Sequence, residues 1–126
     1  MVLTRRKEPF RYLLKEPESC RFQIVDINGK AVHTKLARAE FINVSKAGCR
    51  FAAKLDLRHT HNKIKLIIHI QLNEEPLQLK GTIRWQQQVG GQLFLYGMEF
   101  DPDDRMYELI SRELRLLAGR NKITVV

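Results

Sequence analysis

Alternation of apolar and polar positions dominates the middle of the chain. In "IKLIIHIQL", residues 64–72, one face carries Ile64, Leu66, Ile68, Ile70 and Leu72, and the other Lys65, Ile67, His69 and Gln71. A period of two is the geometry of a strand with one buried face. "LQLKGTIRW", 77–85, repeats it, with Leu77, Leu79, Gly81, Ile83 and Trp85 on one face and Gln78, Lys80, Thr82 and Arg84 on the other. The polar break "NEEP", 73–76, makes the two a hairpin. "QQQVGGQ", 86–92, holds the next turn, and "LFLYGMEF", 93–100, is another strand. Gly97 inside that strand marks a bulge or a close backbone approach.

The first half has shorter signals of the same kind. "FRYLL", 10–14, reads as a short strand, and Asn28-Gly29 is a hairpin turn within "RFQIVDINGKAVHTKL". "KLARAEFINVS" and "CRFAAKL" flank a turn of small residues, and "DLRHTHNK", 56–63, is a polar loop. About seven short strands at close spacing point to a barrel or sandwich. The period then changes. Asp101 reads as an N-cap, Pro102 as the first helical residue, and Asp103 and Asp104 as first-turn acids that suit the helix dipole. Met106, Ile110, Leu114 and Leu117 follow at helical spacing, joined by Tyr107 and Leu109. Gly119 supplies the stop, with Arg112, Arg115 and Arg120 around the last turns. The chain therefore reads as one domain, 1–126: a mobile basic arm over 1–9, a barrel over 10–100, and an amphipathic helix over 101–119 that covers an open end or edge.

Composition narrows the class. With 126 residues, 44% hydrophobic and 29% charged, the chain can bury a core without disulfides or a metal. Lys and Arg outnumber Asp and Glu by 22 to 14, and the net charge of +8 favours an anionic partner. Cys20 and Cys49 read as free, packed thiols, because Met1 to Leu14 has no continuous apolar stretch of a secretory signal. No run approaches the roughly 20 apolar residues of a membrane helix, so the expected location is cytoplasmic.

Catalytic chemistry finds no foothold in the sequence. His59 and His61 share a polar loop, but a metal site needs three or four converging ligands and the cysteines are far away. His33 and His69 sit on strand or hairpin positions. Ser45 has no G-x-S-x-G context, and neither a Walker A nor a G-x-G-x-x-G stretch occurs. The carboxylates form no evident pair. The expectation is a protein that is not an enzyme and carries no cofactor.

Two short stretches remain. "RRKEPFRY", 5–12, brings Arg5, Arg6, Lys7 and Arg11 within seven residues, with Phe10 and Tyr12 at its end. Guanidinium groups bind phosphate oxygens bidentately, stack on bases, or read guanine O6 and N7. "NVSKAG", 43–48, holds Asn43, Ser45 and Gly48 in an N-x-S-x-x-G pattern. The Asn43 carbonyl can accept from guanine N–H groups, with Ser45 beside it. Gly48 allows a positive φ or the approach of a base. The alternative is a strand-to-strand turn whose Asn and Ser bond their own backbone.

In this order the two stretches resemble the PilZ domain, marked by R-R-x-x-x-R followed by D/N-x-S-x-x-G. "GTIRWQQQVGGQLFLYGMEF" is similar to that family's late hairpin. The resemblance implies a small antiparallel barrel of six or seven strands with a C-terminal helix. It also implies a receptor for cyclic di-GMP, bound by Arg5, Arg6, Lys7, Arg11, Asn43, Ser45 and Gly48. Over R-R-x-x-x-R, "RKEPFR" places Lys7 where the family has Arg. Lys keeps the charge but loses the planar fork, and Arg5 is near enough to replace it. The implied partner is an effector protein of flagellar, polysaccharide-synthesis or transcription machinery, not polymeric nucleic acid. Two rivals stand beside this reading. One is a degenerate PilZ module that binds only protein; the other is a small barrel for RNA or single-stranded DNA.

Overall fold

The computed structural model describes residues 10–125, so the expected basic arm, 1–9, lies outside the described residues. In chain order the elements are β1 (Tyr12–Ile27), β2 (Lys30–Ala31), β3 (Ala37–Val44), β4 (Gly48–Ala53), a 3-10 turn (His59–His61), β5 (Ile64–Gln71), β6 (Pro76–Gly90), β7 (Leu93–Phe100), α1 (Asp104–Gly119) and β8 (Ile123–Val125). Six strands close a ring in the order β1-β3-β4-β7-β6-β5, with β5 returning to β1, and every pairing is antiparallel. The short β2 and β8 pair with β1 outside that ring. The strand spacing allowed a barrel or a sandwich; the fold is the barrel with a C-terminal helix that the family resemblance implied.

Local chemistry explains most boundaries. Tyr12–Leu14 of "FRYLL" and all of "RFQIVDI" belong to one long strand, which Phe10 and Arg11 precede and whose pairing with β3 shifts register between Leu13 and Glu18. Pro17 lies in that shift, where a residue without an N–H is tolerated. Asn28 and Gly29 turn β1 into β2 with φ of 55° and 87°, and Asp26 Oδ1 accepts from Gly29 N at 2.9 Å. Both positive angles belong to the tight hairpin turn that Asn-Gly favours. β8 has no counterpart among the expected strands; its three residues give too short a pattern, and only pairing with Tyr12–Leu14 extends them.

Three expected boundaries move. β6 runs past Trp85: Gln86, Gln87 and Gln88 pair with Tyr96, Leu95 and Phe94, and the turn expected within 86–92 falls at Gly91 and Gln92. Ladder hydrogen bonds to β7 outweigh a weak local preference there. The helix starts later than Asp101. Phe100 N donates to Ala47 O and Asp101 N to Lys80 O, so the chain is still bonded to the sheet at that point. The cap is Asp103, whose carboxylate accepts from Arg105 N at 2.9 Å and Met106 N at 3.3 Å. At the other end Gly119 is the last helical residue, and Asn121, at φ 57°, makes the stop. Lys122 N donates to Leu117 O and Asn121 N to Ala118 O, which satisfies the last carbonyls.

The core is a single cluster. It joins Ile64, Leu66, Ile68 and Ile70 of β5 to Met106, Ile110, Leu114 and Leu117 of α1, so the helix completes the barrel interior. Phe51 stands at its centre, 5.6 Å from the ring of Phe22 and 5.1 Å from that of Tyr96. Glu113 is buried on the same helix face; Asn73 Nδ2 donates to its Oε2 at 3.0 Å and to its backbone carbonyl at 3.2 Å. With Arg112 on Glu75 and Arg120 on Asn73, these bonds fasten the β5–β6 hairpin to α1. Both cysteines are free and buried, as the sequence implied. Burial, then Glu40 and Glu18, push the Cys20 thiol up to about 12, and burial raises Cys49 as well.

Two measurements follow from this packing. Thiolate is the reactive form, so iodoacetamide at pH 8 should leave both cysteines of the native protein unmodified and alkylate both in urea. The hydroxyl of Tyr96 accepts from Leu57 N at 3.0 Å and donates to Leu55 O. Tyr96→Phe strands a buried N–H, and denaturant titration should show about 1–3 kcal/mol of lost stability.

Candidate functional site

The β3–β4 turn is built from its own serine. Ser45 N donates to Gly48 O at 2.8 Å, and Ser45 Oγ accepts from Ala47 N and Gly48 N, each at 3.2 Å. The side chain is 1% exposed. Such a bracket holds a turn rigid, and here it is the backbone-bonded alternative weighed for this serine. Gly48 does not adopt a positive φ. A Cβ there would lie 2.1 Å from Met98 O, so its missing side chain is filled by the β7 backbone rather than left open for a base.

Asn43 behaves differently from Ser45. Pairing runs from Phe41↔Phe51 to Asn43↔Arg50, so β3 advances two residues while β4 advances one. This bulge turns Asn43 to the outer surface, in line with Arg50. A second irregularity lies in β6, where Ile83↔Met98 is followed by Trp85↔Gly97. It moves Trp85 off the apolar face on which strict alternation would have placed it. Arg50 is itself opposite Gly97. The outcome is one outward row across four strands: Asn43, Arg50, Gly97 and Trp85.

Arg11 completes the arrangement. It precedes β1, whose Leu13 is the register partner of Asn43. Arg11 Nη1 donates to Asn43 Oδ1 at 2.9 Å, although 32 residues separate the two. A charged donor on the amide oxygen of a residue only 5% exposed is a strong, directional contact. Arg11, Ser45, Gly48, Arg84, Trp85 and Glu99 line a cavity of about 380 Å3. The indole of Trp85 presses on Gly97, where a Cβ would fall 2.1 Å from Nε1, and Arg50 lies 5.4 Å from the ring centroid. Arg84 Nε is 2.9 Å from Glu99 Oε2, which neutralises that edge. The Arg11 charge also reaches Cys49, on which it acts against the upward push of burial.

Of the expected site residues, Arg11, Asn43, Ser45 and Gly48 come together; Arg5, Arg6 and Lys7 lie outside the described residues. Trp85, Arg50, Arg84 and Glu99 were not singled out for the site. The available signal was Gly97: a strand glycine flagged for close approach receives a neighbouring ring, not a backbone. Among the described residues no three His, Cys, Asp or Glu side chains converge as metal ligands, and no helix is long and apolar enough to cross a membrane.

Gly97→Ala should displace the indole. Trp85 is the single tryptophan, so the check is a change in intrinsic emission with the far-UV circular dichroism preserved. Gly48→Ala meets backbone instead of a side-chain ring. It should destabilise the barrel by about 1–3 kcal/mol through overpacking, read as a lower denaturation midpoint.

Comparison with known families adds one finding. The model of the PilZ domain matches residues 5–116. No curated protein matches the chain. The matched span runs from the cationic stretch through both motif segments and the closed barrel into α1, and on that ground the chain belongs to the PilZ domain family.

Proposed function

We propose that this protein is a receptor for cyclic di-GMP, the ligand associated with PilZ domains, and that it passes the signal to an effector protein without turning the ligand over. The observation that carries the reading is Arg11 held by Asn43 at the edge of a cavity walled by Trp85. A preset guanidinium meets a phosphate or guanine edge with little ordering cost. An indole beside it offers a flat face to a purine. Arg5, Arg6 and Lys7 supply the remaining charge for two phosphates. Asn43 acts by fixing Arg11, and Ser45 by fixing the turn that forms the cavity wall. Ligand bridges Arg5, Arg6 and Lys7 to Arg11 and the barrel, and the altered surface is what the flagellar, polysaccharide-synthesis or transcription partner reads.

One observation favours the rival in which the motif serves only protein binding: Asn43 Oδ1 and Ser45 Oγ are both satisfied within the chain. Isothermal titration with cyclic di-GMP, GTP and a single-stranded oligonucleotide separates the readings. Saturable heat with cyclic di-GMP alone is the expected result. Silence with all three would transfer the assignment to the protein-binding module, and heat with the oligonucleotide to a nucleic-acid barrel.

Affinity should fall as salt rises, since the contacts are between charges. Arg11→Ala should remove a charge-assisted bond worth about 1.5–3 kcal/mol, roughly ten- to a hundredfold in Kd. Lys7→Arg should tighten binding by about 1 kcal/mol if the fork gains a net hydrogen bond, with the melting temperature unchanged. Weaker binding by Lys7→Arg would mean that Lys7 makes a contact other than the one its alignment implies.

A further inference from the structure

A second concentration of cations lies on another part of the barrel wall. Arg38 of β3 is the register partner of Arg21 of β1, Arg21 of His69 of β5, and His69 of Gln78 of β6. The flanking Cys20, Phe22, Ala39, Ile68 and Ile70 are buried, so these four side chains share the outer face. Like charges directly opposite on neighbouring strands repel. Arg84, Arg112 and Arg120 each reach a carboxylate, whereas among the described residues neither the Arg21 nor the Arg38 side chain makes a hydrogen bond or ion pair. His69 Nε2 is withdrawn from water and also lacks a partner. Two uncompensated cations beside an unsatisfied imidazole nitrogen make this face attractive to an anion.

The row borders a cavity. Pairing between β1 and β5 ends at Arg21↔His69; beyond it Cys20 and Ile70 pair with β3 and β6 alone, and the two strands part. The gap is about 640 Å3 and includes Ser19, Arg21, Arg38, Glu40, His69 and Gln78 in its lining. β4 and β7, which carry Arg50 and Gly97, contribute nothing to it, so it is separate from the Arg11 cavity.

We infer that this cleft binds a small phosphomonoester, its phosphate held between the guanidinium forks of Arg21 and Arg38 and its body in the gap between β1 and β5. Paired forks match phosphate oxygens, and the volume is that of a small-molecule site. Glu40 argues for a small ligand over an acidic peptide. Its carboxylate, 3.4 Å from Ser19 Oγ, sits one row from the arginines and repels a run of carboxylates, yet leaves room for a single phosphate.

The test is an amide NMR titration of the full chain at fixed ionic strength with inorganic phosphate, adenosine 5′-monophosphate and an octaglutamate peptide. Phosphate and the monophosphate should move the Arg21, Arg38 and His69 resonances saturably, the monophosphate at lower concentration, while Gly48 and Trp85 stay in place. The double variant Arg21→Gln, Arg38→Gln should weaken that response at least tenfold. Its melting temperature without phosphate should not drop, because a like-charge pair has been removed. The proposal is overturned by shifts that never saturate, by an unchanged response in the double variant, or by saturation with octaglutamate alone. Movement confined to Gly48 and Trp85 would overturn it equally.

Discussion

The barrel depends on β1 pairing along both of its edges. β3 takes one side from Tyr12 to Phe22, and β5 takes the other from Arg21 to Ile27. An open six-stranded sheet would leave two rows of backbone N–H and C=O groups exposed; closure pairs them and encloses the apolar faces together. A strand that serves two neighbours has to be long, and β1 spans 16 residues with a register shift around Pro17. Pairing of β1 with β3 sets Arg11 beside the β3–β4 turn. Arg11 reaches Asn43 because Leu13 already lies opposite it in the sheet.

Regular pairing alone would have left that surface without chemistry. Uninterrupted alternation would carry Trp85 on the buried face with Ile83, and would keep Asn43 in phase with Phe41. Each of the two irregularities adds one residue to one strand and reverses the side chains beyond it. Arg50 and Gly97, on the regular strands between them, then link Asn43 to Trp85. The asparagine oxygen is removed from water in the process, and the Arg11 guanidinium offsets that desolvation.

The helix is joined to this region through very few residues. Ala47 in the turn accepts from Phe100 N, and the chain leaves β7 there to reach the Asp103 cap. A groove of about 550 Å3 next to the turn is lined by Lys46, Ala47, Tyr107, Glu108, Ser111 and Arg115. From that side α1 runs to the β5–β6 hairpin, where Arg112, Glu113 and Arg120 hold Asn73 and Glu75. A single element thus borders the β3–β4 turn at one end and closes the core at the other.

Much of this was legible in the sequence because it rests on short-range periodicity. The buried Ile64, Leu66, Ile68 and Ile70, the Asn28-Gly29 turn and the helix stripe Met106, Ile110, Leu114 and Leu117 follow from which residues repeat at two or at 3.6. The pairing of Arg11, Asn43, Ser45 and Gly48 was implied by family resemblance, and the fold brings these four together. Sequence could not decide which face Trp85 occupies, since a bulge is set by the register of the partner strand. Nor could it show that Gly48 makes room for Met98 and not for a base, or that Glu113 is buried. The helix start was misplaced for the same reason: Asp101 and Asp103 are equally good caps by composition, and only the sheet bonds at Phe100 and Asp101 choose between them. Local pattern determines which elements form; contacts between distant residues determine what they present to the outside.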